Sequence, residues 1–139
     1  MCNYWCRFAD VGILRNVWWL DIQGRIASAM LSPKTTYVAY LVFRISRDSW
    51  GLSTPGKTIV SFGGVRNETT NVYLQQPHAR GQPHAHVHAR GARNDGWMEI
   101  ELGEFYCDDG DECEVEMGFQ EHREYKGGLI VEGIEVRPK

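Results

Sequence analysis

A chain of 139 residues is long enough for one domain with one sizeable core. Hydrophobic residues make up 42% and the net charge is −3, which does not favour non-specific binding to nucleic acid or to an anionic membrane surface. No apolar run approaches the about 20 residues of a membrane-spanning helix, and the N-terminal residues lack a signal-peptide pattern. We therefore expect a single domain over 1–139 in the cytoplasm, the nucleus or both.

Alternation of apolar and polar residues with period two runs along most of the chain and predicts strands. Residues 17–26 alternate as a half-buried strand does, whereas residues 36–45 are apolar on both faces, as in a central strand. Further strands are predicted over 58–62, 71–75, 97–105, 113–119 and 129–137. The sole helical candidate covers 7–16, and Gly12 weakens it. We predict an all-β, antiparallel β-sandwich of the jelly-roll type, with at most one short helix near the N-terminus.

A nucleotide-binding motif is present as a string of letters. Residues 51–58, GLSTPGKT, match the phosphate-loop pattern at Gly51, Gly56, Lys57 and Thr58. That motif requires a helix directly after the loop, because the helix N-terminus holds the phosphates. Here IVSFGG follows, which favours a strand. The segment is therefore predicted to be a turn between two strands, and nucleotide binding is kept only as a hypothesis.

Histidines are concentrated in the segment 77–93, which also contains proline, glycine and arginine and is predicted to be a long loop. His84, His86 and His88 would share one face of an extended segment and could bind Zn²⁺, Ni²⁺ or Cu²⁺. No carboxylate in the same segment would orient them. We expect weak, adventitious metal affinity at most, and neither a metal site nor a cofactor.

Carboxylates occur in pairs on two predicted strands, at Glu99 with Glu101 and at Glu114 with Glu116. A glycosidase would need one member of such a pair in an environment that raises its pKa. Both pairs alternate with core residues and are predicted to lie on solvated faces. No catalytic motif is present, and we expect no enzymatic activity. The many aromatic residues would suit a sugar-binding module, since pyranose rings stack on aromatic faces.

Five blocks of the sequence resemble the plant phloem lectin family, the phloem protein 2 or Nictaba-like domain. They are NVWWLDIQGRI, MLSPKTTYVAYLVFRI, DGWMEIELGEF, EVEM and GLIVEGIEVRPK, in the family's order and covering most of the chain. The resemblance implies a jelly-roll lectin without enzymatic activity. It also implies binding of N-acetylglucosamine oligomers and N-glycan cores, often by dimers. Many members carry an F-box ahead of the lectin domain and act as substrate-recognition subunits of ubiquitin ligases.

The resemblance also implies the residues of the sugar site. Tyr4 and Trp5 match the second half of an aromatic pattern near the N-terminus, and Glu114 and Glu121 match two late glutamates. Tyr125 lies where many members have an aromatic residue. The first tryptophan of the pattern has no counterpart here, so we expect a chain truncated at its N-terminus. Two hypotheses remain beside nucleotide binding: a lectin, and an F-box-associated protein-interaction or substrate-recognition domain with a weakened or lost sugar site.

Overall fold

The computed structural model describes residues 4–14, 20–75, 89–92, 97–108, 113–122 and 125–139, with the side chains of 4–14 and 89–92 excepted. In this part of the chain the only helical element is a 3-10 turn at Ser28–Met30. The strands are β1 Tyr4–Leu14, β2 Leu20–Ala27, β3 Thr35–Trp50, β4 Gly56–Phe62, β5 Val65–Val72, β6 Ala89–Ala92, β7 Met98–Cys107, β8 Glu114–Glu121 and β9 Gly127–Pro138. The predicted all-β class is therefore confirmed.

Two antiparallel sheets form the sandwich. One has five strands in the order β1-β9-β3-β7-β6, and the other has four in the order β2-β8-β4-β5. They pack through a shared core, in which Phe105 of the first sheet lies 5.7 Å from the ring of Phe62 in the second. Gly103 marks their close approach, because a Cβ there would lie 2.8 Å from Val60 Cγ2. The jelly-roll type stays a prediction.

Strand β3 is central to the larger sheet, where it pairs with β9 on one side and β7 on the other. Tyr37 and Leu41 on one face belong to the core cluster, while Val38 and Val42 on the other face are also buried. Burial on both sides removes apolar area from water across the whole strand. The prediction of a central strand with two apolar faces is therefore confirmed.

Residues 7–14 do not form the helix predicted over 7–16, and residues 15 and 16 lie outside the described residues. Residues 7–14 belong to β1, which pairs antiparallel with β9 from Tyr4↔Val136 to Leu14↔Leu129. The register shifts between Arg7 and Gly12, and such an irregularity breaks the period-two alternation that identifies strands. Lost alternation is what made this segment look helical.

Two further predictions needed correction. The strand predicted over 71–75 lies earlier, as β5, whose residues are mostly exposed and carry little apolar signal. Within the loop predicted over 77–93, residues 89–92 form β6 and pair with β7. The rest of the loop, including His84, His86 and His88, lies outside the described residues.

Candidate functional site

A polar cavity of about 260 Å³ lies at one end of the smaller sheet. It is formed where β4 begins, β5 ends and β8 ends. The lining residues are Pro55, Gly56, Lys57, Thr70, Asn71, Gln120, Glu121 and His122. This volume is slightly below the about 300–1,000 Å³ of pockets that enclose drug-sized ligands, so the cavity suits a group of roughly one sugar residue.

Strand pairing places the polar groups of the cavity side by side. Lys57 of β4 pairs with Gln120 of β8. Gly56 allows the two strands to approach closely, because a Cβ at this position would lie 2.6 Å from the carbonyl oxygen of Gln120. On the other wall, Asn71 has a left-handed backbone with φ 58, a conformation that asparagine tolerates better than most residues.

Glu121 occupies the wall of the cavity with its carboxylate almost completely buried, since its side chain is 2% exposed. It forms an ion pair with the ammonium group of Lys126, which is equally buried. The same ammonium group donates a hydrogen bond of 3.3 Å to the backbone carbonyl of Glu121. A buried charge is stable only when it is paired in this way, so the pair fixes the end of β8 against the start of β9.

The remaining lining groups donate and accept hydrogen bonds closer to solvent. Lys57 Nζ lies 3.6 Å from a carboxylate oxygen of Glu68, with both side chains about one-third exposed. The side-chain amide of Gln120 donates a hydrogen bond of 3.5 Å to Asp21. Amide, hydroxyl, ammonium and imidazole groups together can match a ligand that is rich in hydroxyl or acetamido groups.

The two glutamates of the predicted sugar site do not lie together. Glu114 and Glu121 are the two ends of β8, seven residues and therefore about 24 Å apart at about 3.4 Å per residue. Their odd spacing also points them to opposite faces of the strand. Glu114 is 54% exposed and lies 3.6 Å from Arg25, whereas Glu121 is buried. One sugar ring cannot contact both.

The aromatic residues of the predicted site divide in the same way. Tyr4 and Trp5 pair in register with Val136 and Glu135, near the C-terminal end of β9. Their side chains lie outside the described residues. Tyr125 immediately precedes Lys126 at the other end of β9 and is 37% exposed. Of the predicted residues, Glu121 and Tyr125 therefore share one end of the sandwich.

The GLSTPGKT segment forms the turn that was predicted. Gly51 has a φ of +74 at the end of β3, and β4 begins at Gly56. Lys57 and Thr58 are strand residues, so no helix N-terminus follows the loop. The segment nevertheless contributes Pro55, Gly56 and Lys57 to the polar cavity. Its contribution to a site depends on strand pairing and not on phosphate-loop geometry.

Glu99 of β7 is not solvated as predicted, whereas Glu101 is partly buried. Glu99 is only 9% exposed, because it lies on a strand with neighbours on both sides and is bonded by the guanidinium of Arg137. Arg137 also lies 3.6 Å from Glu135 and stacks 3.7 Å above the ring of Tyr40. Glu114 and Glu116 on β8 are about half exposed, as the sequence predicted.

Sequence reasoning did not identify Thr70, Asn71, Gln120 or His122 as site residues. Each is an ordinary polar residue with no motif around it, and the strand pairing of β4 with β5 and β8 brings them together. The adjacent Gly56 and Lys57 were identified, but as part of a phosphate-loop pattern. The one usable signal was Glu121, which the family resemblance had placed in the site.

The described residues contain neither a metal-binding cluster nor a membrane-spanning helix. No group of three or more histidine, cysteine, aspartate or glutamate residues is placed to hold a metal ion in that part of the chain. None of its helices has the length and apolar character needed to cross a membrane.

The described residues thus form an antiparallel β-sandwich with a polar cavity at one end of the smaller sheet. Comparison with known proteins identifies the family, since residues 4–138 match phloem protein 2. The chain belongs to the phloem protein 2 family. The predicted resemblance to phloem lectins is therefore confirmed at the level of the family.

Several curated relatives come from Arabidopsis thaliana. The putative F-box protein PP2-B12 is 43% identical over 96% of this chain and 50% of its own length. F-box protein PP2-B10 is 39% identical over 95% of this chain and 50% of its own length. F-box protein VBF is 34% identical over 86% of this chain and 51% of its own length. This chain thus spans about half the length of the curated relatives that it matches.

Among solved structures, the functional form of the mosquito-larvicidal Cry4Aa toxin from Bacillus thuringiensis covers 99% of this chain with 21% of its own. The TM-score is 0.41 and the sequence identity is 10%. Those values are too low to support an argument about fold or function.

Proposed function

We propose that this chain is a glycan-recognition domain that binds N-acetylglucosamine oligomers or N-glycan cores at the polar cavity. The observation that carries the proposal is the position of Glu121. This residue, which the family resemblance assigns to the sugar site, lies in the wall of a cavity with Lys57, Asn71 and Gln120. Membership of a lectin family supports the same ligand class.

The cavity offers the bonding groups that a sugar needs. The amides of Asn71 and Gln120 can each donate to one oxygen and accept from another, which suits hydroxyl and acetamido groups. Lys57 adds a charged donor at the edge, and charge-assisted hydrogen bonds are the stronger ones. These groups bind without transferring a proton or forming a covalent bond, so the proposed role is recognition and not catalysis.

The names of the relatives extend the proposal to the whole protein. PP2-B10 and VBF are F-box proteins, and this chain matches about half of each. We propose that the domain serves in a protein of that type as the part that recognises glycosylated substrates for a ubiquitin ligase. The proposed location is the cytoplasm, the nucleus or both.

Calorimetric titration tests the glycan proposal. The chain is titrated with the β1-4-linked trimer of N-acetylglucosamine and, for comparison, with the glucose trimer that lacks acetamido groups. We expect binding of the first and weaker binding of the second. Gln120→Ala should weaken the complex about tenfold, as expected for the loss of about one hydrogen bond.

Gln23→Ala is the matched control, because Gln23 is an exposed glutamine on the outward face of the same sheet, bonded to Asp21. It should leave the affinity unchanged. Gln120 lies on the same outward face and also bonds to Asp21, so a loss in Gln23→Ala without a loss in Gln120→Ala would move the site along this face, away from the cavity. An absence of heat with the trimer and with N-glycan cores would overturn the proposal.

A second candidate is a protein-interaction domain that kept the fold and lost much of the sugar affinity. The separation of Glu114 from Glu121 favours it, since the two carboxylates cannot contact the same sugar ring. The engagement of Glu121 by Lys126 favours it as well. It would be supported if the full-length protein binds the same partner protein before and after enzymatic removal of the partner's glycans.

A further inference from the structure

We propose that Trp50 and Tyr125 form an aromatic platform beside the polar cavity and that the platform stacks on a neighbouring sugar ring of the same glycan. The inference rests on the proposed glycan-binding function and adds a second contact surface for the oligosaccharide. It also assigns a role to Trp50, which no sequence motif had marked. Three features support this role: the exposure of the rings, the backbone contacts that hold their segments, and the links from both segments to the cavity.

Both rings are open to solvent and in contact with each other. Trp50 is 41% exposed and Tyr125 is 37% exposed. Their ring centroids lie 6.5 Å apart with an angle of 43° between the planes. Exposed aromatic residues are common singly, whereas a contacting pair offers a larger apolar surface in one place.

The backbone holds this pair in place through two glycine contacts. Trp50 pairs in register with Gly127, and Gly51 packs directly on the carbonyl of Tyr125 and within 2.9 Å of Lys126 Cβ, measured from an added Cβ. Gly128 packs on Ser49 in the same way, 2.6 Å from its Cα. Because neither contact has room for a side chain, the backbones of the two segments pack closely together. A backbone held in this way has little conformational entropy to lose when a ligand binds.

Both segments of the platform are linked to residues that line the cavity. Lys126 follows Tyr125 directly, and its ammonium group pairs with Glu121 in the cavity wall. On the other side, the turn that begins after Trp50 leads to Pro55, which also lines the cavity. One lysine side chain on one path and a four-residue turn on the other therefore connect the aromatic pair to the cavity. The proposed ligand is an oligosaccharide that contacts both.

Sugar chemistry explains why a polar cavity and an aromatic pair would work together. A pyranose has an apolar C–H face that stacks on aromatic rings and an edge of hydroxyl groups that needs hydrogen bonds. One residue in the cavity and the next over the rings would use both surfaces. A monosaccharide can use only one of them, so affinity should rise from the monomer to the dimer and trimer of N-acetylglucosamine.

The test compares three alanine variants by calorimetry with the trimer. Trp50→Ala and Tyr125→Ala should each weaken binding about tenfold, whereas Trp50→Phe, which keeps an aromatic face, should retain most of the affinity. Tyr106→Ala is the control. Tyr106 is a tyrosine of similar exposure, at 51%, and it pairs with Thr36 at the opposite end of β3. Equal urea midpoints for all variants would show that the fold is intact.

The outcomes separate this inference from the proposed function. If the wild-type chain binds the trimer and neither alanine variant at the platform weakens it, the platform is overturned while glycan binding stands. An equal loss in Tyr106→Ala would overturn it too. If the wild-type chain binds no glycan of any class on an array, the proposed function fails and the platform fails with it. A tenfold loss of affinity in Trp50→Ala that is largely absent in Trp50→Phe supports the platform.

Discussion

The two ends of strand β8 carry the same residue in opposite environments. At one end, the Glu114 side chain is 54% exposed and its partner Arg25 is 62% exposed. At the other, Glu121 and Lys126 are each 2% exposed. Neither the residue type nor a sequence motif determines whether a side chain is buried. Burial depends on whether the position along the strand is odd or even, because this sets the face of the sheet, and on the elements that cover that face.

The two ion pairs should also differ in energy. Exposed pairs contribute about 0–1 kcal/mol, because water and salt screen the charges and both side chains lose freedom. A buried pair gains little over an apolar pair of the same size, yet removal of one partner costs about 3–5 kcal/mol, because a charge remains unpaired away from water. The Glu121 end should therefore be the sensitive end of the sandwich.

Removal of the buried cation is the strongest way to test this comparison. Lys126→Met keeps most of the side-chain volume and leaves the Glu121 carboxylate without its cation. We expect the free energy of unfolding to fall by about 3–5 kcal/mol, measured by urea denaturation. The double variant with Glu121→Leu should recover much of the loss, since both charges are then absent.

Arg25→Met is the matched control, because it removes one cation from the exposed end. Arg25 lies 3.6 Å from Glu114 and 3.7 Å from Glu116. The change should cost no more than about 1 kcal/mol. Similar losses in the two methionine variants would contradict the difference that we draw between the two ends.

A glycine substitution tests the backbone packing at the Glu121 end of the sandwich. Gly51→Ala should destabilise the fold by about 2–4 kcal/mol, because an alanine at φ +74 is strained and its Cβ would overlap the Tyr125 carbonyl. In Gly63→Ala the φ is +59, but an added Cβ meets nothing within 4 Å, so only the backbone strain of about 1–2 kcal/mol remains. Thermal unfolding gives the loss of stability in each variant, and the difference between the two losses is the cost of the overlap with the Tyr125 carbonyl. If Gly63→Ala were the more damaging change, the close approach at Gly51 would be disproved.

The smallest expected effect concerns Glu68 on β5, a third carboxylate, which is exposed. The side-chain hydrogen bond from Arg66 is the largest cause that holds the pKa of Glu68 below its ordinary 4.5, and Lys57 lowers it further. Because the pKa is lowered in the folded state, this carboxylate stabilises the fold above its unfolded pKa. That contribution is lost as the pH falls through the folded value.

Arg66→Gln should therefore raise the pKa of Glu68 towards 4.5, as measured by NMR titration of the carboxyl carbon. Lys57→Gln should raise it by a smaller amount, since the contributions of Lys57 are weaker. A larger shift in Lys57→Gln would reverse the assigned order of the two cations.

The sequence predicted those parts of the fold in which periodicity and burial agree. In β2 the exposed and buried positions alternate without interruption, so its strand was identified from Leu20, Ile22 and Ile26. In β1 the register shift after Arg7 destroys that alternation, and a helix was predicted instead. In β5 nearly all residues are exposed, so hydrophobicity carried no signal for that strand.

The site was less predictable than the fold, because it depends on contacts between distant segments. Glu121 was reached through the family resemblance, but no pattern along the chain indicated that Asn71 and Gln120 line the same cavity. Glu114 was grouped with Glu121 because both match the same family motif. Counting positions along the strand would have separated them, since an odd interval reverses the face.

Strand β5 has a further consequence for the behaviour of the protein at high concentration. It is an outer strand of the smaller sheet, and among the described strands it pairs with β4 alone. An outer strand with free backbone groups can recruit a second chain and start an aggregate. Arg66 and Glu68 place opposite charges on this edge, and Val65, which is 62% exposed, is the apolar residue at its start. The polar composition that hid β5 from sequence analysis is also what discourages one sandwich from extending its sheet into the next.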